Sequence, residues 1–297
     1  MWNESFAPAK VNLFLHVGPV GSDGYHPLAS LVTFADIGDI VRMRPANRMA
    51  FSIEGPLADE LSADPNNLVT RARDLFLAEL GSPGGGVELK LEKWLPIASG
   101  LGGGSSDAAA TLRLMAQQLA PEWLWNDEAG TLVEIARRLG SDVPMCLCGA
   151  PRLATGHGDE LSYPPVFADL DAVLVNPMRP SPTGAVYRAY DDAGASGDAS
   201  PPEWPEAMQS AQNVARFLAG CRNDLEAPAI GLQPAIGKVL EALRARPETL
   251  FARMSGSGAT CFALCADARD RRDLAFALEA AHPDWWVTGC TLQGFAP

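Results

Sequence analysis

The chain has 297 residues, of which 47% are hydrophobic and 20% charged, and a formal net charge of −13. That length suits one large domain or two halves of ~150 residues each, and the acidic balance excludes nucleic acid as a main partner. No apolar run reaches the ~18 residues needed to span a bilayer, and the opening Met1-Trp-Asn-Glu-Ser-Phe-Ala-Pro lacks the basic and apolar regions of a signal peptide. A soluble cytoplasmic protein without a membrane partner is therefore expected. An anionic ligand would meet an unfavourable overall field. Any phosphate site must draw on local donors: backbone N–H groups, a few cations and a metal.

Residues 9–17 alternate strictly, with Ala9, Val11, Leu13, Leu15 and Val17 on one face and Lys10, Asn12, Phe14 and His16 on the other. This is strand periodicity. It sets Lys10 and Asn12 on one face, about 7 Å apart at the usual rise. Gly21-Ser-Asp-Gly24 is a turn leading to Tyr25-His26-Pro27, and residues 32–44 read as strand with a break at Gly38-Asp39. Leu68, Ala72, Leu75, Phe76 and Leu80 form a helical stripe. Val87, Leu89 and Leu91 alternate with charged residues in a strand that leads to the most informative stretch of the chain.

That stretch reads Pro96-Ile-Ala-Ser-Gly-Leu-Gly-Gly-Gly-Ser-Ser-Asp-Ala-Ala. Glycines permit φ > 0 and close approach of backbone N–H groups to a ligand. The next helix, with Ala108, Leu112, Met115 and Leu119 at helical spacing, adds free N–H donors and the positive end of a dipole. Together these make an anion site, most often for phosphate; the other reading is a flexible turn before an ordinary helix. The loop is neither a Walker A motif nor Gly-x-Gly-x-x-Gly. Ser105, Ser106 or Asp107 can cap the helix.

A helix marked by Leu132, Ile135, Ala136 and Leu139 ends at Gly140, before Ser141-Asp142-Val143-Pro144. The second half begins with a strand at 172–176. A polar loop is expected over 191–205, helices near 206–219 and 234–245, and a strand, glycine turn and strand over 251–264 around Ser255-Gly-Ser-Gly258. A helix at 267–281 capped by Asp267 and a final strand at 285–293 complete the chain. The plan is α+β in two halves, 1–155 and 156–297. The six cysteines form no Cys-x-x-Cys pair, and with four scattered histidines they suggest buried thiols and no metal constellation.

Lys10 is either an ordinary exposed strand lysine or a site cation. Asp142 is either a helix N-cap or a site carboxylate. Tyr25-His26 is either a hairpin aromatic pair or a platform for a base. The 255–259 loop is either a hairpin turn or a backbone surface approaching phosphate or the partner domain.

The order of these features resembles that of the GHMP small-molecule kinases. Pro96-x-x-x-Gly-Leu-Gly-Gly-Gly-Ser-Ser-x-Ala-Ala is similar to their nucleotide loop, Pro8-Ala-Lys-Val-Asn-Leu-Phe-Leu15 to their first motif, and Met254-Ser-Gly-Ser-Gly-Ala259 to their third. Asp23-Gly-Tyr-His26, Leu139-Gly-Ser-Asp-Val-Pro144 and Asn223-Asp-Leu-Glu226 resemble segments of the branch whose acceptor carries cytidine diphosphate. The resemblance implies a two-domain GHMP kinase-like fold with its active site in the cleft between the halves. It also implies ATP- and Mg²⁺-dependent phosphorylation of the 2-hydroxyl of a cytidine-diphosphate-linked methylerythritol, in non-mevalonate isoprenoid synthesis. A mevalonate- or homoserine-type kinase, or a regulator without catalysis, is the alternative.

On this resemblance Asp142 is the general base or hydroxyl-orienting carboxylate. Lys10 stands beside it, stabilising the developing alkoxide. Pro96, Gly100, Gly102, Gly103, Gly104, Ser105 and Ser106 belong to the ATP loop, with Lys93 near the nucleotide and Asn67 on its purine side. Tyr25 and Tyr187 sandwich the cytosine, His26 hydrogen-bonds it, and Asn12 and Thr183 contact the acceptor. Two departures are Ser141, where Ala is frequent, and Asp107, where Asn is frequent; the latter puts a negative charge near the phosphates.

Overall fold

The computed structural model describes residues 1–59, 61–81, 85–125, 130–194 and 197–296. The elements run β1 (Asn3–Asn12), β2 (His16–Val17), β3 (Leu28–Ala46), β4 (Ala50–Glu54), α1 (Leu68–Leu80), β5 (Gly86–Glu92), α2 (Gly103–Leu119), α3 (Thr131–Leu139) and α4 (Val143–Cys148). They continue as β6 (Arg152–Thr155), β7 (Glu160–Ser162), β8 (Leu170–Asn176), α5 (Thr183–Asp192), α6 (Ala211–Ala219), α7 (Glu226–Leu232), α8 (Ala235–Arg244), β9 (Phe251–Met254), β10 (Cys261–Leu264), α9 (Ala268–Ala281) and β11 (Trp286–Leu292). The α+β character expected of the chain is what it has.

By contacts the chain separates into two compact units, and these are not divided by a single cut at residue 155. The first comprises Met1–Ala9, Ile37–Ile97 and Gly102–Gly149, and the second Lys10–Asp36, Ala98–Leu101 and Ala150–Pro297. In the first unit β5 pairs antiparallel with the end of β3, Ile40 opposite Glu92 through Ala46 opposite Gly86, and parallel with β4. Helix α2 packs against α1, α3 and α4. Leu112, Leu114, Met115 and the alanines 108–110 and 116 are all fully buried, so α2 is enclosed on more sides than its stripe suggests. Each such Leu or Met contributes roughly 1.5–3 kcal/mol by leaving water.

In the second unit β11 joins the start of β3 to β8, and β10 lies between β8 and β9, each neighbour antiparallel. Val173, Val175, Ile236, Leu240, Met254 and Leu274 are among the residues of the core that β8, α8, β9 and α9 build. β6 pairs with the start of β3 and turns back through β7.

Two expectations need correcting. Residues 32–44 carry no break, because β3 runs for 19 residues through Gly38 and Asp39. A Cβ on Gly38 would lie 2.2 Å from the Ala7 carbonyl oxygen, so the glycine admits the neighbouring strand rather than ending its own. Residues 9–17 are not one strand either, since β1 stops at Asn12 and pairing resumes only at β2. Lys10, Asn12, Phe14 and His16 are buried like the apolar set, so the alternation marks two interior faces of different polarity.

Helices α5 and α7 have no counterpart among the expected elements, and α6 starts later than the stretch expected near 206–219. The polar loop is confined to the residues beyond α5; its positions 195 and 196 lie outside the described residues. Of the six cysteines only Cys148 is exposed, and burial pushes the Cys221 thiol up to about 11.

Candidate active site

In the first unit the glycine run does not precede α2 but becomes it. Gly102 takes the N-cap position with φ 63° and ψ 21°, and the helix begins at Gly103 without a side-chain cap. Ser105, Ser106 and Asp107 therefore lie inside the helix, which corrects their expected capping role. The bond from Ser106 N–H to Gly102 O is 2.9 Å. The N–H groups before it belong to the turn that has no intrahelical acceptor and so present a donor cradle for an anion. Leu68 and its neighbours open α1, where the Asn67 side chain accepts the Val69 N–H at 3.0 Å. Asn67 is thus an N-cap.

Beneath this cradle lies a charge cluster. Lys93 Nζ is 2.5 Å from Asp39 Oδ2 and 2.9 Å from Asp107 Oδ2, and the three side chains are 3%, 0% and 4% exposed. Asp39 Oδ1 also accepts the Trp94 and Leu95 N–H groups at 2.6 and 2.9 Å. Burial pushes Asp107 up to about 7 against the opposing pull of Lys93. The charge of Asp107 thus faces Lys93 inside the fold. Sequence reading gave Asp39 no role; the only signal was a carboxylate inside an apolar strand run, whose partners lie 54 residues or more along the chain.

Also in this unit, Asp142 occupies the N-cap position of α4 (φ −80°, ψ −17°) but makes no capping hydrogen bond to that helix. Pro144 is fixed in its first turn. The far end of α4 is held by Arg113 of α2, whose Nη1 donates to Cys146 O at 2.8 Å and Leu147 O at 3.4 Å, while Nη2 donates to Phe6 O at 2.9 Å.

In the second unit Lys10 is buried at 6% exposed, which removes the exposed-strand reading. Its N–H donates to Leu101 O at 2.8 Å. Asn12 N–H donates to Ser255 Oγ at 3.1 Å, and Ser255 Oγ–H donates to Gly100 O at 3.0 Å. Thr260 N–H donates to Ser99 O at 2.9 Å. The 255–259 turn therefore grips the first half of the glycine loop, residues 98–101. Gly100 (φ +77°) admits this contact, since a Cβ there would stand 2.4 Å from Ser255 O. Asn12 Nδ2 donates to Ser30 Oγ at 2.8 Å, whereas its Oδ1 is buried without a partner among the described residues. Thr183 Oγ1 lies 2.8 Å from Ser257 Oγ.

Asn223, to which sequence reading assigned no role of its own, braces this turn. Its Nδ2 donates to Met254 O at 2.9 Å and Gly256 O at 2.8 Å, and its Oδ1 accepts the Leu225 N–H at 3.0 Å. Asn223→Ala strands all three buried backbone groups. A stability loss of roughly 2–4 kcal/mol is expected from such unmet groups, read as a lowered urea midpoint with unchanged slope.

Two tyrosines of the second unit pack around His26. Its Nδ1–H donates to Gly18 O at 2.9 Å, and its Nε2 lies 3.4 Å from Asp191 Oδ1. The Tyr187 and Tyr190 rings pack on it at 5.1 and 5.7 Å between centroids. Tyr25 stacks on His157 at 5.4 Å and is 64% exposed. A cavity of about 460 Å³ adjoins this group, lined by Gly18, Pro27, Leu28, Gly156, Asp198 and Ser200 among others. Among the described residues no group of three His, Cys, Asp or Glu side chains is placed to hold a metal, and no helix is long and apolar enough to cross a membrane.

The chain has clear relatives among known proteins. The model of the GHMP kinases N terminal domain matches residues 67–150, the span of the glycine loop and Asp142, and that of GHMP kinases C terminal matches 205–284. The chain belongs to the GHMP kinase family. It is 52% identical over 290 residues to a Caulobacter vibrioides (strain NA1000 / CB15N) protein named 4-diphosphocytidyl-2-C-methyl-D-erythritol kinase, covering 97% of this chain and 99% of the relative. A crystal structure of 4-(cytidine 5'-diphospho)-2C-methyl-D-erythritol kinase superposes with TM-score 0.79 at 34% identity, covering 99% of this chain and 100% of that one. Homoserine kinase from Cytophaga hutchinsonii shares the fold at TM-score 0.67 and 20% identity, over 99% and 97% of the two chains.

Proposed function

We infer that the chain transfers the γ-phosphoryl group of ATP to the 2-hydroxyl of 4-diphosphocytidyl-2-C-methyl-D-erythritol, a step of non-mevalonate isoprenoid precursor synthesis in the cytoplasm. The observation that carries this reading is 52% identity across 97% of the chain to a relative of that name. Likeness to the homoserine kinase, at 20% identity, supports the fold alone.

On the donor side the N–H groups of Gly102 to Ser106 wrap the phosphates at the start of α2. Pro96 and Gly100 shape the loop, and Asn67 lies on the purine side. Lys93, held by two carboxylates, acts from beneath the loop rather than as a free cation. Mg²⁺ supplies charge neutralisation on the phosphate oxygens.

On the acceptor side Tyr25 and Tyr187 take the cytosine between them and His26 hydrogen-bonds it. Asn12 Oδ1, buried and unpartnered among the described residues, and Thr183 contact the acceptor. The 2-hydroxyl oxygen attacks the γ-phosphorus, its proton passes to the Asp142 carboxylate, and the bond to the β-bridging oxygen breaks to release ADP. Lys10 offsets the negative charge growing on the transferring oxygens. A loose transition state asks mostly for alignment and charge neutralisation, so Asp142 acts as much by orienting the hydroxyl as by basicity.

The test is an ATP-consumption assay with this acceptor against mevalonate and homoserine. Turnover is expected with the cytidine-diphosphate acceptor only, with CDP competing against it and excess chelator abolishing the rate. Preference for mevalonate or homoserine, or turnover that survives chelation, defeats the reading.

A further inference from the structure

We infer that Asp107 is a positioning residue of the phosphate cradle, acting through Lys93, and that its carboxyl group takes up a proton when nucleotide phosphates bind at the start of α2. The inference rests on the donor site proposed above.

The geometry is asymmetric. One ammonium, Lys93 Nζ, serves two carboxylates, at 2.5 Å to Asp39 and 2.9 Å to Asp107. Asp39 spends its second oxygen on the Trp94 and Leu95 N–H groups. Asp107 Oδ1 is buried with no partner among the described residues. If both carboxylates ionise, the cluster holds one uncompensated negative charge in a buried setting, which is costly. The proton that removes it belongs on Asp107, the carboxyl with an unmet oxygen.

The cluster lies directly under the cradle. A Cβ on Gly103, the first residue of α2, would stand 3.1 Å from Lys93 Nζ and 3.6 Å from Asp39 Oδ2. Asp107 is four residues further along the helix, about 6 Å at the usual rise. With Asp107 protonated the three groups sum to zero charge; with it ionised they present a net negative charge to incoming phosphate. The charged groups acting on Asp107 are Lys93, after β5, and Asp39, on β3, and burial raises its carboxyl to about 7. Phosphate charge arriving at the helix start opposes ionisation, so binding draws a proton in. By linkage the same coupling makes nucleotide affinity fall as pH rises through neutrality.

The experiment is isothermal titration of the full chain with the Mg²⁺ complex of a non-hydrolysable ATP analogue, in buffers of different ionisation enthalpy. At pH 7 wild type is expected to take up roughly 0.4 proton per nucleotide more than Asp107→Asn, for a one-unit rise from about 7. The nucleotide's own protons are common to both proteins. Wild-type affinity should weaken by up to about tenfold between pH 6 and 8.5, with the variant flat by comparison. If the variant does not fold, wild type alone decides, because its affinity must weaken as pH rises through neutrality. Binding with equal uptake in both proteins, or with uptake independent of pH in wild type, overturns the inference and leaves the donor site standing. Absence of nucleotide binding by folded wild type defeats the donor site and this inference with it.

Discussion

Asp142→Asn lowers phosphoryl transfer by about 10²–10⁴-fold, the usual worth of a positioned acid–base group, and leaves ATP binding near wild type. The two readings of this residue predict different results. A capping aspartate makes the substitution nearly silent, because Asn caps a helix as well as Asp does. The structure has α4 start at Asp142 with no capping bond from its side chain, so helix stability supplies no reason for a large effect. A carboxylate that orients or deprotonates the hydroxyl loses both charge and basicity in the amide. Single-turnover rates with saturating ATP and acceptor, set beside nucleotide titrations of the same samples, separate the outcomes. Unchanged turnover removes Asp142 from the mechanism.

Lys93→Met destabilises the chain by about 3–5 kcal/mol, the cost of breaking a buried ion pair from one side. Methionine fills much of the lysine volume, so the loss is electrostatic rather than a cavity. Asp39 keeps two backbone donors; Asp107 keeps none of the contacts that favour its ionised form, and its carboxyl, already raised to about 7, rises further. The folded chain then binds a proton that the unfolded chain releases near pH 4. Stability from this group is full below that pH and is lost as pH rises through the folded value. Wild type loses the same contribution up to about pH 7, so the deficit of Lys93→Met should stay level to that pH and widen above it in urea titrations. Adding Asp107→Asn should recover part of it, since residues in contact couple. A deficit that is flat with pH and not rescued rules out the charge explanation.

What could be read in advance was local. The glycine loop, the strand before it and the helix after it lie within about 30 residues, and their chemistry comes from adjacent residue types. The Asp267 cap obeys the same rule and appears as hydrogen bonds at the start of α9. Helix α7 escaped notice because Pro228 and Gly231 lower its propensity, and packing in the second core overrides them. Gly38-Asp39 looked like a strand break because a glycine beside a carboxylate is unfavourable inside a strand until the partner is known, and the partner of Asp39 is Lys93, 54 residues on. Asn223 had the same difficulty: a bracing amide is defined by the carbonyls that meet it, 31 and 33 residues away.

The Arg113 guanidinium has a mechanical meaning. Helix α4 has six residues, too few to hold its own shape in water, so its direction is borrowed from α2 through the Arg113 bonds at its far end. The helix that opens with the phosphate cradle is thereby the strut on which Asp142 is mounted. When the glycine-loop end of α2 tilts or shifts, the carboxylate is carried along with it, and the spacing between cradle and carboxylate is preserved as in a jig.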